Sequence, residues 1–219
     1  MARKITKRKI EQKTVLIALE DSKSSRYYFQ SLVKDKHLAG EVIFARHRGS
    51  NPTKVLDTIK KHYTEEQKKS KKVMYEKEWI VIDRDSFDDF LSTIKKAKEH
   101  NVCVAFSNES YELWLLLHFQ LVSVYTDRKN LKSQLNKIFV ERFQIEYEKS
   151  SQDVYYLVRN LQEVAIKNAK ILALEHIQNN GEINPEKNPI TMIYQLVECL
   201  NSLYSKEKSC DCFPKKGTI

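Results

Sequence analysis

Short apolar runs ending on an acid, each followed by a stretch with helical periodicity, alternate along the first half of the chain. Thr14–Glu20, TVLIALE, is a continuous aliphatic run of the kind that forms a strand buried on both faces of a parallel sheet, with Glu20 at its carboxyl end. Asp21 and Ser22 can cap the helix that follows, in which Ser25, Phe29, Leu32 and Val33 share one face. Glu41–Arg46, EVIFAR, predicts a second strand, and Asn51 and Pro52 are the cap and first position of a second helix reaching about Ser70. Glu78–Asp83, EWIVID, predicts a third strand, Ser86–His100 its helix, and Asn101–Phe106, NVCVAF, a fourth strand. This alternation predicts an α/β fold: a mostly parallel sheet flanked by helices, with right-handed crossovers and a ligand crevice at the carboxyl ends of the strands.

Beyond Phe106 helical spacing takes over. Asn108 is the expected cap of a helix running to about Gln120; Leu131, Leu135, Ile138 and Phe139 mark another. Val154, Leu157, Leu161, Val164 and Leu172 predict one long helix, Gly181–Pro189 a loop, and Ile193, Leu196, Val197 and Leu200 a last helix. The expected organisation is a basic arm over 1–13, an α/β core over 14–120, a helical subdomain over 121–205 packed on the core, and a flexible tail over 206–219.

Composition narrows the class. The chain of 219 residues has 41% hydrophobic residues, enough for a good core, and only four Gly and four Pro, which argues against a many-turned β-sandwich. No apolar run approaches the roughly 20 residues that cross a bilayer, and a cytoplasmic location is expected. The four cysteines form no regular framework, no disulfide staple is expected in a core of this size, and Cys210 and Cys212 lack further ligands at zinc spacing. The net charge of +9 is concentrated in two windows: six Lys/Arg against one Glu over residues 1–13, and seven Lys against three Glu over 60–77. Such windows are either solvated segments or a field that attracts a polyanion, and neither carries the interleaved aromatics of an RNA platform.

Glu20 and, two residues apart, Asp83 and Asp85 are expected at one sheet edge. If the D-R-D segment is extended, its carboxylates point the same way and can share a hard cation such as Mg²⁺ or Mn²⁺ with Glu20. Such a site suits chemistry on phosphates. The alternative is structural, with Asp85 capping the helix expected from Ser86.

These residues also carry a resemblance. E-D-S-K-S-S-R-Y-Y-F (Glu20–Phe29), V-I-D-R-D-S-F (Val81–Phe87) and, most specifically, S-N-E-S-Y-E-L-W-L-L-L-H-F (Ser107–Phe119) resemble the motifs of the RloB-like family, with Asn188–Thr191 and Leu196–Val197 similar to its late motifs. The resemblance runs from about residue 13 to 200. It implies a Toprim-like parallel-sheet core, a metal held by Glu20, Asp83 and Asp85, and a role in bacterial phage defence or abortive infection. Three departures stand out. Asp21 replaces a glycine, either keeping a left-handed turn or adding a carboxylate; Ser25 replaces a second glutamate, which puts a second metal in question; and Glu109 replaces a proline expected in the first turn of a helix.

In Ser107–Phe119, Trp114 and the leucines are expected in the core, and His118 is expected to be a hydrogen-bonded, partly buried histidine rather than a catalytic base. Glu112 is a candidate metal ligand or orienting group for a base, or else a first-turn carboxylate that satisfies the helix dipole. Lys23, Arg26, Arg46, His47 and Arg48 are the candidate phosphate contacts, with a solvated loop as the alternative. The function expected is a Mg²⁺-dependent nuclease with Glu20 and Glu112 as its catalytic carboxylates, cutting DNA or RNA, tRNA included. The alternative is a non-catalytic subunit that binds nucleic acid or a partner. The expected partner is nucleic acid, with an operon-encoded ATPase or other defence protein and a second copy of the chain as further candidates, and no membrane.

Overall fold

The computed structural model describes residues 15–69 and 75–205, so the expectations for the basic arm, for the tail and for Cys210 and Cys212 lie outside the described residues. The first half runs β1 (Val15–Leu19), α1 (Ser24–Asp35), β2 (Val42–Phe44), α2 (Pro52–Lys68), β3 (Lys77–Asp83), α3 (Phe90–Glu99) and β4 (Cys103–Asn108). The second half runs α4 (Glu112–Leu116), α5 (Arg128–Phe143), α6 (Val154–Val158), a 3-10 turn (Arg159–Leu161), α7 (Gln162–Asn180), β5 (Ile190–Thr191) and α8 (Ile193–Ser205). The protein is α/β, with a five-stranded, mostly parallel sheet flanked by helices.

Every residue of β1 is buried, and consecutive strand residues face opposite sides, so helices cover both faces of the sheet at its centre. The order is β2-β1-β3-β4-β5, parallel except for β5, which pairs antiparallel with β4. The chain therefore leaves β1 to one side to build β2 and returns to the other side to build β3. Connections that diverge in this way open a crevice outside the carboxyl ends of β1 and β3, where parallel sheets hold ligands. Glu20 follows β1 and Asp83 ends β3, so this topology sets both acids at the crevice.

Local signals fix most elements. The Asn51 side chain accepts the backbone N–H of Lys54 at 2.9 Å with Pro52 at the first helical position, and Val55, Leu56 and Ile59 bury the inner face of α2. In α8 the expected Ile193, Leu196, Val197 and Leu200 are all fully buried, each contributing roughly 1.5–3 kcal/mol.

Four local expectations are corrected. The helix expected from Ser86 begins at Phe90, because Asp85 turns into the left-handed region (φ 36°) and the Arg84 guanidinium donates to the carbonyls of Asp85 and Phe87, which holds the intervening residues in a turn. Asp85 therefore caps no helix. Strand β4 extends to Asn108, whose partner is Ile190 of β5, so Asn108 is a sheet residue and not a cap, and the peptide linking it to Glu109 is cis. The long helix expected from Val154 is broken by the 3-10 turn, which resets the phase: Val164 is 42% exposed, while Ala165, Ile166 and Ala169 are buried in its place. Finally, Cys103 and Cys199 are both buried and disulfide-bonded, against the expectation of no staple.

A buried polar chain ties the helices to one another. Asn201 Nδ2 donates to Gln162 Oε1 (3.0 Å), Gln162 Nε2 donates to the Tyr28 hydroxyl (3.2 Å), and that hydroxyl lies 3.4 Å from His118 Nε2. His118 Nδ1 is 3.0 Å from the Trp114 carbonyl, which only accepts, so Nδ1 carries the proton and Nε2 accepts from Tyr28. His118 is hydrogen-bonded as expected but fully rather than partly buried, and burial pushes its pKa down to about 4. The unfolded chain takes up this proton near pH 6.5, so the stability His118 contributes is complete above that pH and is lost as pH falls toward 4. From pH 7.5 to pH 5 the loss is expected to be about 2 kcal/mol. Urea unfolding at the two pH values should show it in the wild type and not in His118→Gln; equal losses in both proteins would place the acid sensitivity elsewhere.

Candidate functional site

Glu20, Asp83 and Asp85 line a single cavity of about 200 Å³ at the carboxyl edge of the sheet, together with Ser24, Ser25, Tyr111, Arg128 and Lys149. Each acid is held differently. Glu20 is buried and its Oε2 accepts the Asp83 backbone N–H at 2.8 Å, bridging β1 and β3. Burial pushes its pKa up to about 7, against the opposing pull of the Asp83 N–H. Burial, then the neighbouring Glu20 and Glu112, hold the Asp83 carboxyl well above the ordinary range, while the Tyr111 backbone N–H lowers it. The left-handed Asp85 is a conformation that Asp tolerates better than most residues, and such backbone departures cluster at functional sites. The D-R-D segment is therefore not extended, as the shared-cation geometry had assumed; a turn, not strand alternation, brings Asp85 to the cavity.

Arg128 unites the two aspartates. It is ion-paired to Asp85, and its Nη2 lies 3.8 Å from Asp83 Oδ2. It is the first residue of α5, whose cap Asp127 accepts the Asn130 N–H, and its own backbone N–H donates to the Glu109 carboxylate. Glu109 does not stand in a helical first turn: it braces the site, since its carbonyl also accepts the Asp85 N–H at 3.4 Å.

Glu112 lies behind the cavity, fully buried. Its carboxylate accepts from Ser110 Oγ (2.7 Å) and Tyr147 (3.4 Å) and pairs with Lys149 Nζ at 2.7 Å, and Lys149 reaches the cavity. Glu112 also opens α4, so its placement is compatible both with the first-turn carboxylate and, through Lys149, with orienting a basic group. Asp21 stays out of the left-handed region, and although it lines the cavity, its carboxylate accepts the N–H groups of Lys23 (2.8 Å) and Ser25 (3.0 Å), organising the turn into α1.

The five basic residues proposed for phosphate contact lie outside this cavity's lining. Arg26 donates to the Ala45 carbonyl, Arg48 is ion-paired to Glu65, His47 Nδ1 lies 3.4 Å from the Leu19 carbonyl, and Lys23 and Arg46 are exposed. The cations that do line it, Arg128 and Lys149, went unrecognised in the sequence. Arg128 left one signal: a basic residue at the first position of a capped helix opposes the helix dipole, which marks it as placed for another partner. Lys149, in the loop after α5, left none.

The oxygen donors of Glu20, Asp83 and Asp85 are of the kind that Mg²⁺ or Mn²⁺ prefers, and the mutual repulsion that raises Asp83 is what a cation would relieve. Among the described residues, however, no group of three His, Cys, Asp or Glu side chains is arranged to hold a metal ion. The donor chemistry fits, while the arrangement found here has the Arg128 guanidinium against both aspartates.

Fold and site thus define an α/β protein with carboxylates gathered at the switch point of a parallel sheet. The family model described as RloB-like protein matches residues 15–200, and the chain belongs to that family. No curated protein and no solved structure matches it. No helix among the described residues is long and apolar enough to cross a membrane.

Proposed function

We propose that this protein is a Mg²⁺- or Mn²⁺-dependent nuclease of a bacterial anti-phage system, cutting phosphodiesters of DNA or RNA at a Toprim-like site. The observation that carries this reading is the convergence of Glu20, Asp83 and Asp85 on one cavity at the β1/β3 switch point, beside Arg128 and Lys149. The three carboxylates would hold the ion, which when bound supplies charge neutralisation at the phosphate and a more acidic water. Lys149, fixed by buried Glu112, offers a positive charge to a phosphate oxygen. Tyr111 adds a buried hydroxyl in the cavity wall that has no hydrogen-bond partner among the described residues and is free to donate. Glu20, whose carboxyl burial pushes up to about 7 before any ion is bound, is also the candidate general acid/base.

A second reading, a non-catalytic subunit that binds nucleic acid or a protein partner, is favoured by Arg128, which lies against both aspartates and offsets their charge without a metal. Incubating the protein with labelled plasmid, single-stranded DNA and total tRNA, each with Mg²⁺, Mn²⁺ or EDTA, separates the two. The nuclease reading expects cleavage with a divalent ion and none in EDTA. Binding that persists in EDTA, with no cleavage under any ion, would establish the second.

A further inference from the structure

We infer that Arg128 is the resident counter-cation of the Asp83–Asp85 pair, and that a divalent ion displaces its guanidinium onto the substrate phosphate; this rests on the metal-dependent reading above.

The guanidinium lies against both aspartates, paired to Asp85 and 3.8 Å from Asp83. Its hold is partial. Its Nε is buried without a hydrogen-bond partner among the described residues, and its side chain is 42% exposed, so the head group has solvent to swing into. The backbone, by contrast, is fixed: Arg128 opens a capped helix, and its N–H is tied to Glu109. Exchange therefore needs a rotamer change and no movement of α5. A divalent ion carries twice the charge of the guanidinium and accepts carboxylate oxygens all round, so it competes for the same pair. Once released, the guanidinium remains at the cavity rim, and its planar fork suits two oxygens of one phosphate. The other lining cation, Lys149, is not exchangeable in this way, because its departure would strand a fully buried Glu112.

The test is Mn²⁺ binding to the full chain without nucleic acid, read by electron paramagnetic resonance, in the wild type, Arg128→Ala and Arg128→Lys. Removing the competitor should tighten Mn²⁺ binding about tenfold in Arg128→Ala, with Arg128→Lys in between. Arg128→Ala should weaken oligonucleotide affinity more in Ca²⁺ than in EDTA, because only with a divalent ion bound is the wild-type arginine free to reach phosphate; an equal loss in both overturns the exchange. Should Arg128→Ala fold poorly, thermal unfolding of Arg128→Lys with and without Mn²⁺ gives a second reading, its gain from Mn²⁺ exceeding that of the wild type. Unchanged or weaker Mn²⁺ binding in both variants overturns the exchange. If Asp83→Asn and Asp85→Asn also leave Mn²⁺ binding untouched, the metal site itself fails, and with it the nuclease reading.

Discussion

Asp83→Asn is expected to make the metal-free protein more stable and, on the nuclease reading, to abolish cleavage. The Asp83 carboxyl is buried beside Glu20 and Glu112, and its charged form is disfavoured first by burial and then by these like charges. An isosteric amide removes that repulsion while keeping an oxygen to accept the Tyr111 N–H, so a gain on the order of 1 kcal/mol is expected in EDTA. With excess Mg²⁺ the order should reverse, because a ligand stabilises only the protein that binds it. Cleavage should fall by about three orders of magnitude, the equivalent of roughly 4 kcal/mol. Thermal unfolding in EDTA and in Mg²⁺, beside single-turnover cleavage, measures all three. An Asn variant that cuts at the wild-type rate would remove Asp83 from the site.

The second large effect falls on Lys149. Glu112 is entirely inaccessible, and Lys149, 43% exposed, provides its ion pair at 2.7 Å. Breaking such a pair from the cationic side leaves a buried charge with only two neutral hydroxyl partners, Ser110 and Tyr147. Lys149→Met should therefore cost about 3 kcal/mol of stability. Glu112→Gln in the same chain should restore most of it, since a neutral amide needs no counter-charge. A double-mutant cycle in urea quantifies the coupling; a cost for Lys149→Met below about 0.5 kcal/mol would mean that the pair is solvated and without structural weight. Even the restored double variant should cut poorly, because the cavity has lost a cation.

Two acids of the candidate site, Glu20 and Asp83, were legible because each closes a short apolar run. In a buried parallel strand the first polar residue marks where the chain leaves the sheet, so Glu20 and Asp83 could be set at one edge before any coordinates. Asp85 lines the same cavity by a different route from the one expected: the backbone turns left-handed there and does not follow strand alternation. The basic residues expected to contact phosphate lie outside the cavity lining, because proximity to a strand end was the only guide to them. Arg46, His47 and Arg48 follow β2, which lies beyond β1 from the switch point, whereas the cavity takes its cations from the helical half of the chain.

The order of strands and helices in the first half, the caps at Asn51 and Pro52, and the apolar face of α8 were determined by the sequence alone, since each depends on the burial pattern and hydrogen bonds of residues close in the chain. The order β2-β1-β3-β4-β5, the return of β5 to the sheet edge and the gathering of Arg128 and Lys149 around the acids were decided only by the tertiary structure. Periodicity says which side of an element is buried; it does not say against what. Strand order and ion pairs between distant residues are won by competition among many alternative packings, and that competition is resolved only when the whole chain folds.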